Sequence, residues 1–374
     1  MTGQIAVPCV MMRGGTSKGA YFLASDLPAE LAARDAVLLA AMGSPDARQI
    51  DGIGGADPLT SKVAIVSRSA RDDADIDYLF AQVVIDEPIV DISPNCGNIL
   101  AGIGPFAIDA GLFPAQDGRT AVRIHMVNSG KLCIATVATP GGRVAYGGTA
   151  RIAGVPGSAA PVMLEFLDVA GSTCGALLPT GQVRDEIDGV AVTCIDNGMP
   201  VVVIRADALG RTGYESRDAL NQDADLKARL EAIRLKAGPL MGLGDVTDKV
   251  VPKMSLLAPP RNGGAVSSRT FIPHVCHSSI GVLGAVSVAT ACVLEGTPAA
   301  EVASLPARDA DGGCLISVEH PTGEFSVDLA TARGAGGQVE IRRAALLRTA
   351  RRLFQGEVLV PEAALAGRRD EAAE

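Results

Sequence analysis

The sequence predicts an α+β protein of two similar domains, each wrapping mainly antiparallel strands around one apolar helix. Three observations predict it. At 374 residues the chain exceeds what a single core normally organises. An ordered set of segments recurs at an offset of roughly half the length, the signature of duplication. Two runs, Ile99 to Leu112 and Ile280 to Leu294, are apolar nearly all round and must be buried on most sides.

The elements follow in matching order. The first half opens with apolar Ile5 to Met12, the turn Arg13-Gly14-Gly15-Thr16-Ser17 and apolar Ala20 to Leu23; the second opens with Val190 to Ile195, the turn Asp196-Asn197-Gly198-Met199-Pro200 and Val201 to Ile204. Each reads as a β-hairpin. A helix is expected over Pro28 to Met42, capped by Asp26, and another over Arg217 to Lys236, with Leu220, Leu226, Leu230 and Ile233 at helical spacing. Glycine-rich turns come next (Gly52 to Gly55, Gly242 to Asp245), then strands beginning at Lys62 and Lys253. An alternating strand-like run, Ala81 to Ile92, leads to Asn95-Cys96-Gly97 ahead of the first apolar helix. His277-Ser278-Ser279 stands ahead of the second. The boundary is placed among the polar and turn-forming residues Pro179 to Asp188, giving domains 1–184 and 185–374. Arg342 to Glu374 is expected to return to the first half, with a frayed Gly367-Arg368-Arg369-Asp370 end. If the halves face each other, two helix N-termini share a cleft suited to an anion.

Composition narrows the function. A formal net charge of −9 argues against a broad nucleic-acid footprint and requires any anion site to gather positive charge locally. The start Met1-Thr2-Gly3-Gln4 has no signal-peptide pattern, and Ile280 to Leu294 is too short to span a membrane. Eight widely scattered cysteines do not form a disulfide framework, so a reducing cytoplasmic setting is expected.

Cys96 is the most informative residue. In Ser93-Pro94-Asn95-Cys96-Gly97-Asn98 it sits at an expected helix start, where unpaired N–H groups and the helix dipole favour a thiolate. The alternative is a buried cysteine in a tight turn. Lys62 follows a glycine-rich segment at the head of an apolar strand, where desolvation would make it a base; a solvated strand-end lysine is the plainer reading. Arg13, Thr16, Ser17 and Lys18 in the first turn, and Arg269 from the second half, are candidate carboxylate binders, although ordinary turn chemistry also explains the turn. His277 reads equally as a helix cap, and Lys253 is ambiguous. Gly102-Ile103-Gly104-Pro105-Phe106-Ala107 matches a dinucleotide pattern but falls inside a helix-like run, so it is rejected. His274-Val275-Cys276-His277 lacks a second cluster, so no metal is expected.

Three segments together, Met12 to Gly19, Pro58 to Val66 and Asn95 to Asn98, resemble the PrpF family of methylaconitate isomerases and 4-oxalomesaconate isomerases or tautomerases. The resemblance runs from about residue 5 to about 355 and implies a diaminopimelate epimerase-like fold. That fold has a central helix in a curved sheet in each half and an active site between them. It implies catalytic roles for Lys62 and Cys96; the turn and loop residues Arg13, Thr16, Ser17, Asn95, Gly97, Asn98, Arg269, His277, Ser278 and Ser279 are the expected substrate binders. Related epimerases use one cysteine from each half. Here Cys276 is one step outside the matching position, which favours an unsymmetric pair of bases.

The resulting expectation is a cytoplasmic, cofactor-independent isomerase of an unsaturated tricarboxylate. The expected substrate is 4-oxalomesaconate, from bacterial breakdown of lignin-type aromatics. Lys62 would abstract the proton, and Cys96 would relay the second or orient the substrate. The alternatives are 2-methylaconitate isomerisation, a racemase using Cys96 and Cys276, and a non-catalytic carboxylate binder. A homodimer is expected on base rates, with no nucleic-acid or membrane partner.

Overall fold

The computed structural model describes residues 3–167, 169–308, 312–334 and 339–366. The expected frayed end at 367–370 lies outside them. The chain forms two compact units, Met1–Leu167 with Arg348–Glu374, and Asp168–Leu347. The break thus falls upstream of the polar stretch 179–188. Residues just after it are tied to a second-unit strand: the N–H groups of Thr173 and Cys174 donate to Asp196 Oδ2 at 2.7 and 2.8 Å.

In the first unit the elements are β1 (Gln4–Gly14), β2 (Ser17–Leu23), α1 (Leu31–Met42), β3 (Lys62–Arg68), β4 (Ile76–Val83), β5 (Val90–Asp91), α2 (Gly97–Leu100), α3 (Ile103–Asp109), β6 (Gly118–Met126), β7 (Lys131–Thr139) and β8 (Pro161–Phe166). The second unit contains β9 (Asp185–Ile187), β10 (Val190–Asp196), β11 (Pro200–Arg205), α4 (Arg217–Gln222), α5 (Ala224–Leu240), β12 (Lys253–Ala258), β13 (Val266–Phe271), α6 (Val282–Val293), β14 (Gly313–His320) and β15 (Gly323–Arg333). The long β16 (Val339–Pro361) pairs antiparallel with β15 and, further along, with β1.

The duplication is visible in the pairing. β1–β2 is an antiparallel hairpin, β2–β3 parallel, β3–β4 antiparallel, β4–β6 parallel and β6–β7 antiparallel. In the second unit β10–β11, β11–β12, β12–β13, β13–β14 and β14–β15 follow the same alternation. Antiparallel pairs are in the majority, as expected. The apolar segments then cover the sheets. Helix α6, buried along almost its whole length, packs on β10, β11, β14 and β15, while α3 packs on β3, β6 and β7.

Four expected elements take a different form. Helix α1 starts at Leu31, because Glu30 accepts from the Ala32 and Ala33 N–H groups and so caps it in place of Asp26. The run Arg217 to Lys236 is broken at Asp223, whose side chain caps α5; Leu220, Leu226, Leu230 and Ile233 are buried as predicted. The run Ala81 to Ile92 is not one strand: β4 begins earlier and stops at Val83, and a turn through Asp86, Glu87 and Pro88 precedes the short β5. The helix expected over Ile99 to Leu112 is two pieces, α2 and α3. Pro105 has no N–H to continue the ladder, and the Tyr21 hydroxyl takes the Ile99 carbonyl at 2.6 Å. The Tyr21 ring fills the space where a side chain at Gly102 would lie: a Cβ there would come within 2.4 Å of the phenol oxygen.

Candidate active site

In the first unit, three segments far apart in sequence meet at the β1–β2 turn. The turn needs glycine at both Gly14 and Gly15. Gly15 has φ +51°, and a Cβ on Gly14 would lie 2.4 Å from the Asn98 carbonyl oxygen. The Asn98 amide donates to Thr16 Oγ1 at 3.0 Å, tying the turn to the Cys96 loop. On the next strand, Gly19 stands in register with Lys62, and its Cβ would fall 2.3 Å from the Lys62 carbonyl oxygen. Glycine at 14, 15 and 19 therefore sets how closely the Lys62 strand and the Cys96 loop approach the turn.

Lys62 is 8 % exposed, so it is not the solvated strand-end lysine of the plainer sequence reading. Its ammonium donates to Gln82 Oε1 at 2.6 Å and lies 5.1 Å from the centre of the Phe80 ring. The Gln82 side chain is itself fixed, because its amide N–H groups donate to the carbonyls of Ser61 (2.8 Å) and Pro58 (3.2 Å). The glycine-rich segment before Lys62 is held by buried Gln49, which donates to Ser61 Oγ at 2.7 Å and accepts from the Ala56 N–H at 2.9 Å. Sequence reasoning passed over both glutamines. The second comes to Lys62 through the cross-strand register Lys62↔Gln82, which the sequence does not show.

Cys96 is half-exposed and caps α2 through its backbone, whose carbonyl accepts from the Leu100 N–H at 3.0 Å. A helix of one turn has little dipole, so the expected dipole argument for a thiolate does not apply. Two buried tyrosines position the loop instead: Tyr78 donates to the Cys96 carbonyl at 3.3 Å, and Tyr21 holds Ile99 as described. Burial, then the nearby Cys96, pushes both phenols well above their ordinary range, so they remain neutral.

The remaining first-unit candidates divide. Arg13 Nη1 donates to the Gly15 and Thr349 carbonyls at 2.8 and 3.0 Å. Thr16 and Asn95 are exposed and Gly97 half-exposed. Ser17 is buried, and among the described residues its hydroxyl has no partner.

In the second unit Arg269 is half-buried, and its guanidinium donates to the carbonyls of Glu215 and Ser268, both at 2.9 Å. His277 Nδ1 accepts from the Ser279 N–H at 2.9 Å, and burial lowers its pKa. Ser279 Oγ lies 3.1 Å from His320 Nε2, while Ser278 is exposed and its carbonyl accepts from Thr322. Cys276 is fully buried, and burial raises its thiol, which contacts the His277 carbonyl. The sulfur that a two-thiol racemase would need from this unit is therefore enclosed and protonated. Among the described residues, no three His, Cys, Asp or Glu side chains group as a metal site would require.

Residues 4–361 match the family described as PrpF protein. The chain belongs to the PrpF family. It is 60 % identical over 358 residues to the 4-oxalomesaconate tautomerase of Pseudomonas putida, covering 96 % of this chain and 97 % of the relative. It is 61 % identical to the (4E)-oxalomesaconate Delta-isomerase of a Novosphingobium species, covering 95 % of this chain and 98 % of that one. Among solved structures, a methylitaconate-delta-isomerase superposes with a TM-score of 0.86 at 36 % identity, covering 99 % of each chain. This PrpF chain therefore has the fold of that isomerase, an α+β architecture as the sequence predicted.

Proposed function

We propose that this PrpF protein interconverts isomers of 4-oxalomesaconate by moving a proton, with Lys62 as the base. The chain is an isomerase: relatives about 60 % identical over nearly the whole length carry that activity in their names. What supports the role of Lys62 is its setting. Its side-chain nitrogen, which acts as base in the neutral amine form, is buried and held by an amide whose own N–H groups are occupied, and its strand is pressed against the turn by Gly19. A base fixed in this way loses little conformational freedom when it takes the proton.

Cys96 would deliver the second proton or orient the substrate from the neighbouring loop. Backbone N–H groups at Gly97 and Asn98, with the Asn95, Thr16 and Ser17 side chains, would receive the carboxylates and the developing enolate oxygen. The unpartnered Ser17 hydroxyl supports this, since a buried hydroxyl without a partner costs about 1–3 kcal/mol that a ligand would restore. Arg269, His277, Ser278 and Ser279 are the carboxylate-binding candidates within the second unit. The reaction uses only side-chain acids and bases on this reading, so no cofactor is invoked. Among the described residues no two cysteines form a disulfide, which suits a reducing compartment, and a place in aromatic breakdown follows from the proposed substrate.

The test is proton NMR of 4-oxalomesaconate and of 2-methylaconitate with the purified protein. The reading predicts isomerisation of the first with kcat/KM about a hundredfold or more above the second, the scale of one changed contact in a pocket. No conversion of 4-oxalomesaconate would reject it.

A further inference from the structure

Arg13, Lys18 and Arg351 form one row across three neighbouring strands. Arg13 on β1 is directly opposite Lys18 on β2 and, on its other side, directly opposite Arg351 on β16. Opposed residues of an antiparallel pair point to the same face with their side chains a few ångströms apart, and like charges placed so are destabilising. A chain with net charge −9 has carboxylates to spare for neutralising such a row. Yet among the described residues none of the three has an ion pair, whereas the next residue, Arg352, pairs with Asp109 at 3.2 Å.

The row faces a cavity of about 480 Å³ that lies within the first unit. Its other lining residues include Tyr146, Ser158 and Thr349, and no acidic side chain lines it among the described residues. The Arg13 guanidinium is held in place by the Gly15 and Thr349 carbonyls, and burial, then repulsion from Arg351, lowers its pKa. Lys18 is anchored through its backbone N–H, which donates to the Leu59 carbonyl at 2.9 Å. Three positive charges around an open volume, that of Arg13 held in place and none met by an anion of the protein's own among the described residues, amount to a receptor for a small multivalent anion. Two planar guanidinium groups favour carboxylates in particular, which they can bind bidentately.

We infer that Arg13, Lys18 and Arg351 form a binding site for the carboxylate groups of a small polycarboxylate anion, seated in this cavity. Arg351 is the new element, since nothing in the sequence around it sets it apart from its neighbours. The inference rests on the isomerase reading only for the source of the carboxylate: the substrate's own, or that of a second small anion.

The probe is tricarballylate, a saturated tricarboxylate with no double bond to shift, titrated calorimetrically into the full-length protein. Its binding does not depend on turnover, so a failed isomerase reading would leave this test intact. Arg351→Gln and Lys18→Gln are each expected to weaken binding about tenfold or more, with thermal melts showing retained fold, and Arg352→Gln to leave it unchanged. Displacement of tricarballylate by 4-oxalomesaconate would assign the row to the substrate; undiminished tricarballylate binding at saturating substrate would assign it to a second anion. Either result, with the Arg351→Gln loss, supports the site. Wild-type affinity in folded Arg351→Gln, or no binding of tricarballylate to the wild type at millimolar concentration, would overturn it.

Discussion

Lys62 and Lys253 occupy the same place in the two copies of the fold, each heading a strand that runs parallel to the second strand of a hairpin. Their surroundings have diverged. Lys62 faces Gly19 across the parallel pair and Gln82 across the antiparallel one, and its ammonium is hydrogen-bonded to Gln82. Lys253 faces buried Val201, and among the described residues its ammonium has no hydrogen-bond partner. Burial alone lowers its pKa. The helix-entry loops differ in the same way: Cys96 is half-exposed at its loop, and Cys276 is sealed in the core beside Phe271. Duplication preserved the strands and their pairing, while the surroundings of the paired lysines and cysteines diverged.

The sharpest way to break this comparison is to remove each lysine in turn. Lys62→Met is expected to lower kcat by about 10²–10⁴-fold, the usual worth of a positioned acid or base, with the melting temperature largely kept. Lys253→Met is expected to lower it less than tenfold. Steady-state kinetics with melting curves for both proteins checks this. The thiols come next. Cys96→Ala should cost about tenfold or more in kcat, whereas Cys276→Ala should leave kcat near wild type and show its effect in stability, as a truncated core side chain does. Equal kinetic losses at the two cysteines would return the racemase-like arrangement to consideration.

A smaller effect is expected at Gln82. If it positions Lys62 without touching substrate, Gln82→Leu should lower kcat several-fold and leave KM in place, while Gln82→Glu, which keeps an acceptor oxygen, should recover part of the loss. A change in KM alone would remove it from that role. The smallest effect concerns pH. The folded-state pKa of His277 lies below the ordinary value near about 6.5, so the unfolded chain binds the proton more readily. Its contribution to stability is present above that ordinary value and is lost as pH falls towards the folded pKa. The drop in melting temperature between pH 7.5 and pH 5.5 should be smaller in His277→Gln than in wild type.

Much of the scaffold was legible because it depends on local signals. The hairpins at residues 4–23 and 190–205, the lysine-headed strands and the apolar α6 all follow from periodicity and turn residues. What was not legible depends on partners distant in the chain. The split between α2 and α3 needs Tyr21, whose ring arrives from β2; Pro105 alone hinted at it. The early end of β4 was marked by Asp86-Glu87-Pro88, but alternation on both sides of that turn concealed it. Within the site, glycines 14, 15 and 19 could be noticed in the sequence, but what each must clear is a backbone or side-chain atom of a strand or loop elsewhere. The row Arg13–Lys18–Arg351 depends on a strand pairing more than three hundred residues apart in sequence and could not be read from composition or spacing.

The most direct test of the central claim is solvent-deuterium uptake into 4-oxalomesaconate in D₂O, followed by NMR for wild type, Lys62→Met and Lys253→Met at equal protein concentration. The account predicts uptake by wild type and Lys253→Met, and none above background by Lys62→Met. Uptake by Lys62→Met at the wild-type rate would show that another group removes the proton, and the assignment of the chemistry to Lys62 would fail.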